Sequence, residues 1–157
     1  MLHITNNSFY SCQPKTKEEL QGIIIKRIVE DGDYCDLNDI DVSKIEDMSS
    51  LFYCLNFSNA GAYAVNKPSN IFEFIYVDIS LWNVSNVKNM AYMFYRCKQF
   101  DCDISRWDVS NVTDMRYMFK GCKRFYQDLN NWDVSNVKYM INAFEDCPTQ
   151  PKWYKNK

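Results

Sequence analysis

A chain of 157 residues has room for one compact domain. At that size roughly 68–70% of the unfolded surface is buried, so a core needs neither metal nor disulfide support. Apolar residues at 46%, aromatics at 16%, four Gly and four Pro exclude a disordered, collagenous or low-complexity chain, and a net charge of −2 lacks the basic excess of a nucleic-acid binder.

In chain order, residues 1–12 carry no basic start followed by an apolar run of signal-peptide length, and are expected to be loose. Pro14 precedes Thr16-Lys17-Glu18-Glu19, a capping box in which hydroxyl and carboxylate satisfy two orphan amides. Leu20, Ile23, Ile24 and Ile28 then share one helical face, and Gly32 offers a stop. These signals predict a helix over 16–31, which closes an N-terminal unit of residues 1–36 and lays its apolar face over the first repeat. No apolar run approaches the ~20 residues of a membrane helix. Seven cysteines without a CxxC pair make a poor disulfide framework, so they are expected to be small buried hydrophobes in a reduced, cytoplasmic protein.

From Leu37 the chain repeats itself. Residues 79–103 match residues 104–128 at 15 of 25 positions without a gap. A third copy begins at Leu129, and an earlier one at Leu37 lies 42 residues before its successor, one repeat plus an insertion of 17. Trp82, Trp107 and Trp132 are 25 apart, as are Phe94, Phe119 and Phe144 and also Cys97, Cys122 and Cys147. The repeat domain is placed at 37–147, with an insertion at about 56–74. A C-terminal cap or tail occupies 148–157, in which Trp153 and Tyr154 fold back over the last repeat.

A period of 25 lies within the range of leucine-rich-repeat coils, each holding a short strand and a short helix. Ser43, Ser85, Ser110 and Ser135 are placed as helix N-caps, with Ser43-Lys44-Ile45-Glu46 a second capping box. Val112, Met115, Met118 and Phe119 fall at i, i+3, i+6 and i+7, one helical face, and Gly121 offers a left-handed stop that Arg96 and Asp146 replace elsewhere. A short strand is expected near 101–105 with Ile104 inward. The fold class predicted is an α/β repeat, a short right-handed solenoid of about four coils, with strands on one side, helices on the other and the tryptophans forming one packed column.

The segment WDVSNVTDMRYMFKGCKRFYQDLNNWDVSNV resembles the 25-residue repeat of BspA-like leucine-rich-repeat surface proteins, often described as mycoplasma-type lipoprotein repeats. The likeness spans about 37–147, and the opening PKTKEELQGIIIKRIVEDGDYCDLNDIDVS is similar to the N-terminal cap of short bacterial members. It implies a bacterial protein with a leucine-rich-repeat-like fold, a role in adhesion or protein recognition and a surface location, with no catalytic residues to carry over.

No chemistry competes with packing. Leu55 stands where Cys97, Cys122 and Cys147 recur, which fits a buried filler and not a nucleophile, and the one histidine, His3, lies in the loose start. Asp101, Cys102 and Asp103 lack zinc or EF-hand spacing, so no metal and no cofactor is expected. Asn86, Asn111 and Asn136 are read as satisfying backbone groups at the turn before each helix. Solenoids bind through variable positions on a regular frame. Here Leu81/Arg106/Asn131, Asp101/Tyr126 and Cys102/Gln127 vary, and the partner-binding candidates are Asp101, Asp103, Arg106, Tyr126 and Asp128. The expected function is a non-enzymatic, monomeric repeat protein with a small recognition or adhesion face for an unknown protein partner, from host or cell surface. The rivals are a hydrolase or transferase with a site in the 56–74 insertion, whose Phe57, Tyr63, Phe72 and Phe74 suit local packing as well, and a structural remnant without a partner.

Overall fold

A computed structural model describes residues 9–32, 34–53 and 76–155. The insertion at 56–74, with its four aromatics, lies outside the described residues, as do His3 and Leu55. Helix α1 spans Lys17–Asp31, close to the predicted bounds. Thr16 is its N-cap: Glu19 donates its backbone N–H to the Thr16 hydroxyl, while the Glu19 carboxylate accepts the Lys15 N–H. Gly32 ends the helix at φ 84 and returns its N–H to the Ile28 carbonyl, a conformation open to glycine because it lacks a Cβ. Leu20, Ile24 and Ile28 are fully buried, and Arg27 locks the outer side by reaching Asp39, Asp31 and the Asp36 carbonyl. Residues 9–12 are tied down rather than loose: Ser11 donates its N–H to Asp39 and Cys12 bridges to Ile40.

The predicted fold class is overturned. Among the described residues α1 is the one helix, and the sheet consists of two three-residue parallel strands, β1 (Tyr34–Asp36) and β2 (Tyr76–Asp78). No leucine-rich-repeat-like solenoid of four strand-and-helix coils is seen among the described residues. Each repeat is instead a run of tight turns. Met93 donates to Met90, Cys97 to Phe94 and Phe100 to Cys97, each closing a three-residue step, and the same bonds recur one repeat later at Met118, Cys122 and Phe125. The apolar residue at each end of a step faces the core. Left-handed backbone at Ser50, Tyr92, Tyr117 and Asn142, and again at Arg96, Gly121 and Asp146, prevents a helix from propagating through the repeats. Gly121 is therefore one of a left-handed series, and no helix stops there. Ser43, Ser85, Ser110 and Ser135 cap no helix. Their N–H groups are accepted by Asp41, Asn83, Asp108 and Asp133, two residues earlier.

No strand forms at 101–105 either, although β1 and β2 occupy the matching positions of earlier repeats. In the strand pair, Leu37 donates its N–H to the Asp78 carbonyl. One repeat on, the Ile79 N–H meets the Cys102 thiol at 3.4 Å, and the Asp101 carbonyl accepts the Gln127 side-chain amide at 3.0 Å. Side chains have taken the groups that a strand ladder needs.

Successive repeats nevertheless pair closely. Met115, Tyr117, Phe119 and Gly121 donate their N–H groups to Tyr139, Ile141, Ala143 and Glu145 of the next repeat, and Met90, Tyr92, Phe94 and Arg96 do the same one repeat earlier. Asn86, Asn111 and Asn136 each donate a side-chain N–H to a serine carbonyl of the preceding repeat, at 2.7–2.8 Å. They do satisfy backbone, but across repeats and not at a helix start. Phe52, Phe94, Phe119 and Phe144 form a continuous ring column with centroids 5.3, 5.4 and 5.1 Å apart. The indoles of Trp82, Trp107 and Trp132 lean on this column and donate to the carbonyls of Leu37, Ile79 and Ile104. Trp153 donates likewise to Leu129, and with Tyr154 it packs edge-on against Phe144, so the tail does fold back.

Candidate functional site

The repeat places one turn carboxylate above another. Asp36, Asp78, Asp103 and Asp128 occupy one column and accept the N–H of Asn38, Ser80, Ser105 and Asn130 at 2.8–3.0 Å. Aspartate belongs there because its short side chain reaches its own backbone two residues on. Hydrogen bonds from Ser105 hold the Asp103 carboxyl below the usual range, and Asn38, Ser80 and Cys102 outweigh burial to do the same for Asp78.

Beside this column opens a cavity of about 320 Å³ lined by Tyr34, Tyr76, Asp78, Ser80, Asp101, Cys102 and Asp103. The nearby Asp78 charge, then burial and Asp36, pushes the Tyr34 phenol up. Tyr34 and Tyr76 face each other in register across β1 and β2 and are both exposed. One repeat further a cavity of about 190 Å³ takes Tyr126, Gln127, Asp128 and Asn130, with Thr149 and Gln150 from the tail.

The five predicted contact residues therefore divide. Asp101 and Asp103 line the larger cavity, Tyr126 and Asp128 the smaller. Asp101 joins the two, because its carboxylate accepts both the Tyr126 N–H and the Gln127 side chain, each at 2.9 Å. Arg106 is exposed and acts on Asp103 through charge alone. All five are exposed, and the result is an acidic edge carrying tyrosines. Sequence reasoning missed Tyr76, although it stands 25 residues before Asp101 at the same repeat position. It also missed Trp153 as a ladder member, because the step from Trp132 is 21 and not 25.

Four of the described thiols are poorly placed for nucleophilic work. Burial pushes Cys102 and Cys35 up to about 12 and Cys147 to about 11, and drives Cys122 well above its ordinary value. Cys122 and Cys147 donate their S–H to the Phe94 and Phe119 carbonyls of the preceding repeat. Among the described residues no three His, Cys, Asp or Glu side chains gather where they could hold a metal ion, and no helix is long and apolar enough to cross a membrane.

A family described as Mycoplasma protein of unknown function, DUF285, matches residues 63–152. No curated protein and no solved structure matches the chain.

Proposed function

We propose, from the premise that this chain belongs to the DUF285 family of mycoplasma proteins, that it is a non-enzymatic recognition protein whose acidic, tyrosine-bearing edge docks a protein partner. One observation carries this reading: Tyr34, Tyr76, Asp101 and Tyr126 occupy equivalent exposed positions of successive repeats, with aspartate replacing tyrosine in one of them, while the Asp36, Asp78, Asp103 and Asp128 column beside them is constant. A constant column that builds the turns, next to a varying exposed column, is how a regular frame presents a specific face. Tyrosine supplies large contact area at low entropic cost, and the carboxylates favour a partner with basic residues. The same carboxylates repel phosphate, so nucleic acid is disfavoured.

Kinship with BspA-like surface proteins is the finer reading, and it favours an adhesive role toward a host or cell-surface protein, with the chain acting as a monomer. Catalysis is not part of the proposal, because burial pushes the Cys35, Cys102, Cys122 and Cys147 thiols up and turn hydrogen bonds occupy the Asp36, Asp78, Asp103 and Asp128 carboxylates. A photo-crosslinking residue at Tyr126, expressed in native cells, tests it. A discrete adduct that disappears in the Asp101→Lys, Asp103→Lys variant is expected. Equal labelling from a control site at Lys44 would refute the acidic edge as the docking face.

A further inference from the structure

The repeat-to-repeat pairing is directional. Every inter-repeat N–H bond that the 90–96 and 115–121 segments donate runs to a carbonyl of the following repeat, whereas Lys88, Thr113 and Lys138 just before those segments donate back to the preceding one. Met90 gives its N–H to the Asp114 carbonyl, and Met115 gives its own to Tyr139. Met140 is the next in the series, and its N–H has no acceptor among the described residues.

A second donor beside it is open for a different reason. In three repeats a turn residue accepts the N–H two positions on: Asp47 from Ser49, Asn89 from Ala91 and Asp114 from Arg116. At the fourth position the chain has Tyr139, whose side chain cannot accept in that way, and the Ile141 N–H is likewise without an acceptor among the described residues. The Trp153–Tyr154 tail covers Phe144 but not this side. Val137 and Met140 remain partly exposed where their equivalents Val112 and Met115 are buried, and Tyr139 and Ile141 are 56% and 41% exposed. A cavity of about 320 Å³ opens here, lined by Arg116, Val137, Lys138, Tyr139, Met140 and Ile141, with the Arg116 guanidinium 5.3 Å from the Tyr139 ring centre.

We propose that this uncovered edge is a second binding site, for an extended acidic segment of a partner protein. Two adjacent backbone donors beside the exposed Lys138 form a concavity suited to an anion. The frame also indicates what the anion is attached to. In each earlier repeat the equivalent donors receive a main-chain carbonyl and a carboxylate or amide oxygen, so an Asp- or Glu-bearing peptide laid along 138–141 supplies both. The Lys138 charge complements such a peptide, the Arg116 guanidinium being already paired with the Asp114 carboxylate at 2.6 Å, while the apolar rim of Val137, Met140 and Ile141 takes its other side chains. This site lies apart from the acidic edge, and its test does not depend on that reading.

The probe is a fluorescein-labelled peptide copying Asn111–Met115, the segment whose Asp114 carbonyl takes the Met90 N–H within the fold, ended before Arg116 so that its aspartate has no internal cation. Saturable binding is expected, with the amide resonances of Met140 and Ile141 among the largest to shift. Replacing the peptide's aspartate by alanine is expected to weaken binding at least tenfold. So is Tyr139→Asp in the protein, which hands the Ile141 N–H an internal carboxylate, while Asp128→Asn on the acidic edge leaves binding unchanged. If Tyr139→Asp lowers the melting temperature, Lys138→Glu at an exposed position serves as the second variant. Absence of saturable binding at millimolar peptide overturns the proposal, as does indifference to both the peptide aspartate and the protein variants. Sodium acetate shifting the same two amides as tightly as the peptide would also overturn it, because the site would then be one for free anions.

Discussion

Replacing Trp107 by alanine tests the packing on which both surfaces depend. The indole is 4% exposed, leans on Phe94 with centroids 6.3 Å apart and donates to the Ile79 carbonyl at 3.2 Å. Truncating a large buried aromatic costs about 3–5 kcal/mol. For a domain of this size that lowers Tm by roughly 2–4 °C per kcal/mol, or about 6–20 °C. Trp107→Phe separates the two contributions. It keeps a ring against Phe94 but removes one of the two donors to the Ile79 carbonyl, which still accepts the Trp82 N–H, so a loss of only about 0.5–1.5 kcal/mol is expected from the hydrogen bond. Trp82→Ala and Trp132→Ala are expected to match Trp107→Ala, since all three rings make the same contacts, whereas Trp153→Ala in the half-buried tail costs less. Differential scanning calorimetry reads all five variants, with urea unfolding by two probes to check that the transition stays cooperative. A Tm drop below about 2 °C for Trp107→Ala would refute the reasoning, since a buried, hydrogen-bonded indole cannot be removed that cheaply.

Gly121→Ala meets only ordinary contact with Arg96 at 3.5 Å but must hold φ 80, so a loss of about 1 kcal/mol is expected by chemical denaturation, and no loss would mean the turn is not left-handed. Asp41, Asp78, Asp103, Asp108 and Asp133 have carboxyls held below their ordinary value, chiefly by hydrogen bonds from the serine two residues on and, for Asp78, from Asn38 as well. A group with a depressed folded pKa adds stability above the unfolded value, here 3.8, and that stability is lost as pH falls through the lower folded value. Melting temperature should therefore be flat near neutrality and fall steeply below about pH 4. Asp108→Asn, which copies the natural Asn83 turn, should be neutral at pH 7 and less acid-sensitive, and an unchanged acid limb would contradict the assignment. In native protein at neutral pH, Cys35, Cys102, Cys122 and Cys147 should resist iodoacetamide and react promptly once unfolded; fast native labelling of Cys122, read by mass spectrometry, would show that its burial is wrong.

Much of the core was legible because the repeat forces the same residue to the same place. Trp, Met, Phe and Cys at steps of 25 are buried where the pattern puts them, save Met140 and Cys147 in the last repeat, which are partly exposed, and α1 is marked by a capping box and a glycine stop. The repeat helices failed for a reason visible in the spacing. On an α-helix a step of three residues falls short of a full turn by about 60°, so an apolar stripe at strict steps of three rotates by about 180° over three steps. Val109, Val112, Met115 and Met118 keep that strict step and are all buried, which only a chain of three-residue turns allows. The Asp-x-Ser and Asn-x-Ser triplets were the matching turn signal, read instead through the serine as an N-cap. Asp101, Arg106 and Tyr126 were singled out through variation between copies, whereas Asp103 and Asp128 are constant between them. The open edge at Met140 and Ile141 was not, because it depends on which way backbone donors point and on the tail covering half of the last repeat.

Both proposed surfaces rest on backbone pairing between repeats, and scalar couplings across hydrogen bonds in isotope-labelled protein observe that pairing directly. The Phe119 amide nitrogen should correlate with the Ala143 carbonyl carbon, and Met115 with Tyr139, each crossing to the following repeat. Correlation of Phe119 with Met115, four residues earlier in its own repeat, would identify a helix there and contradict the turn-built architecture.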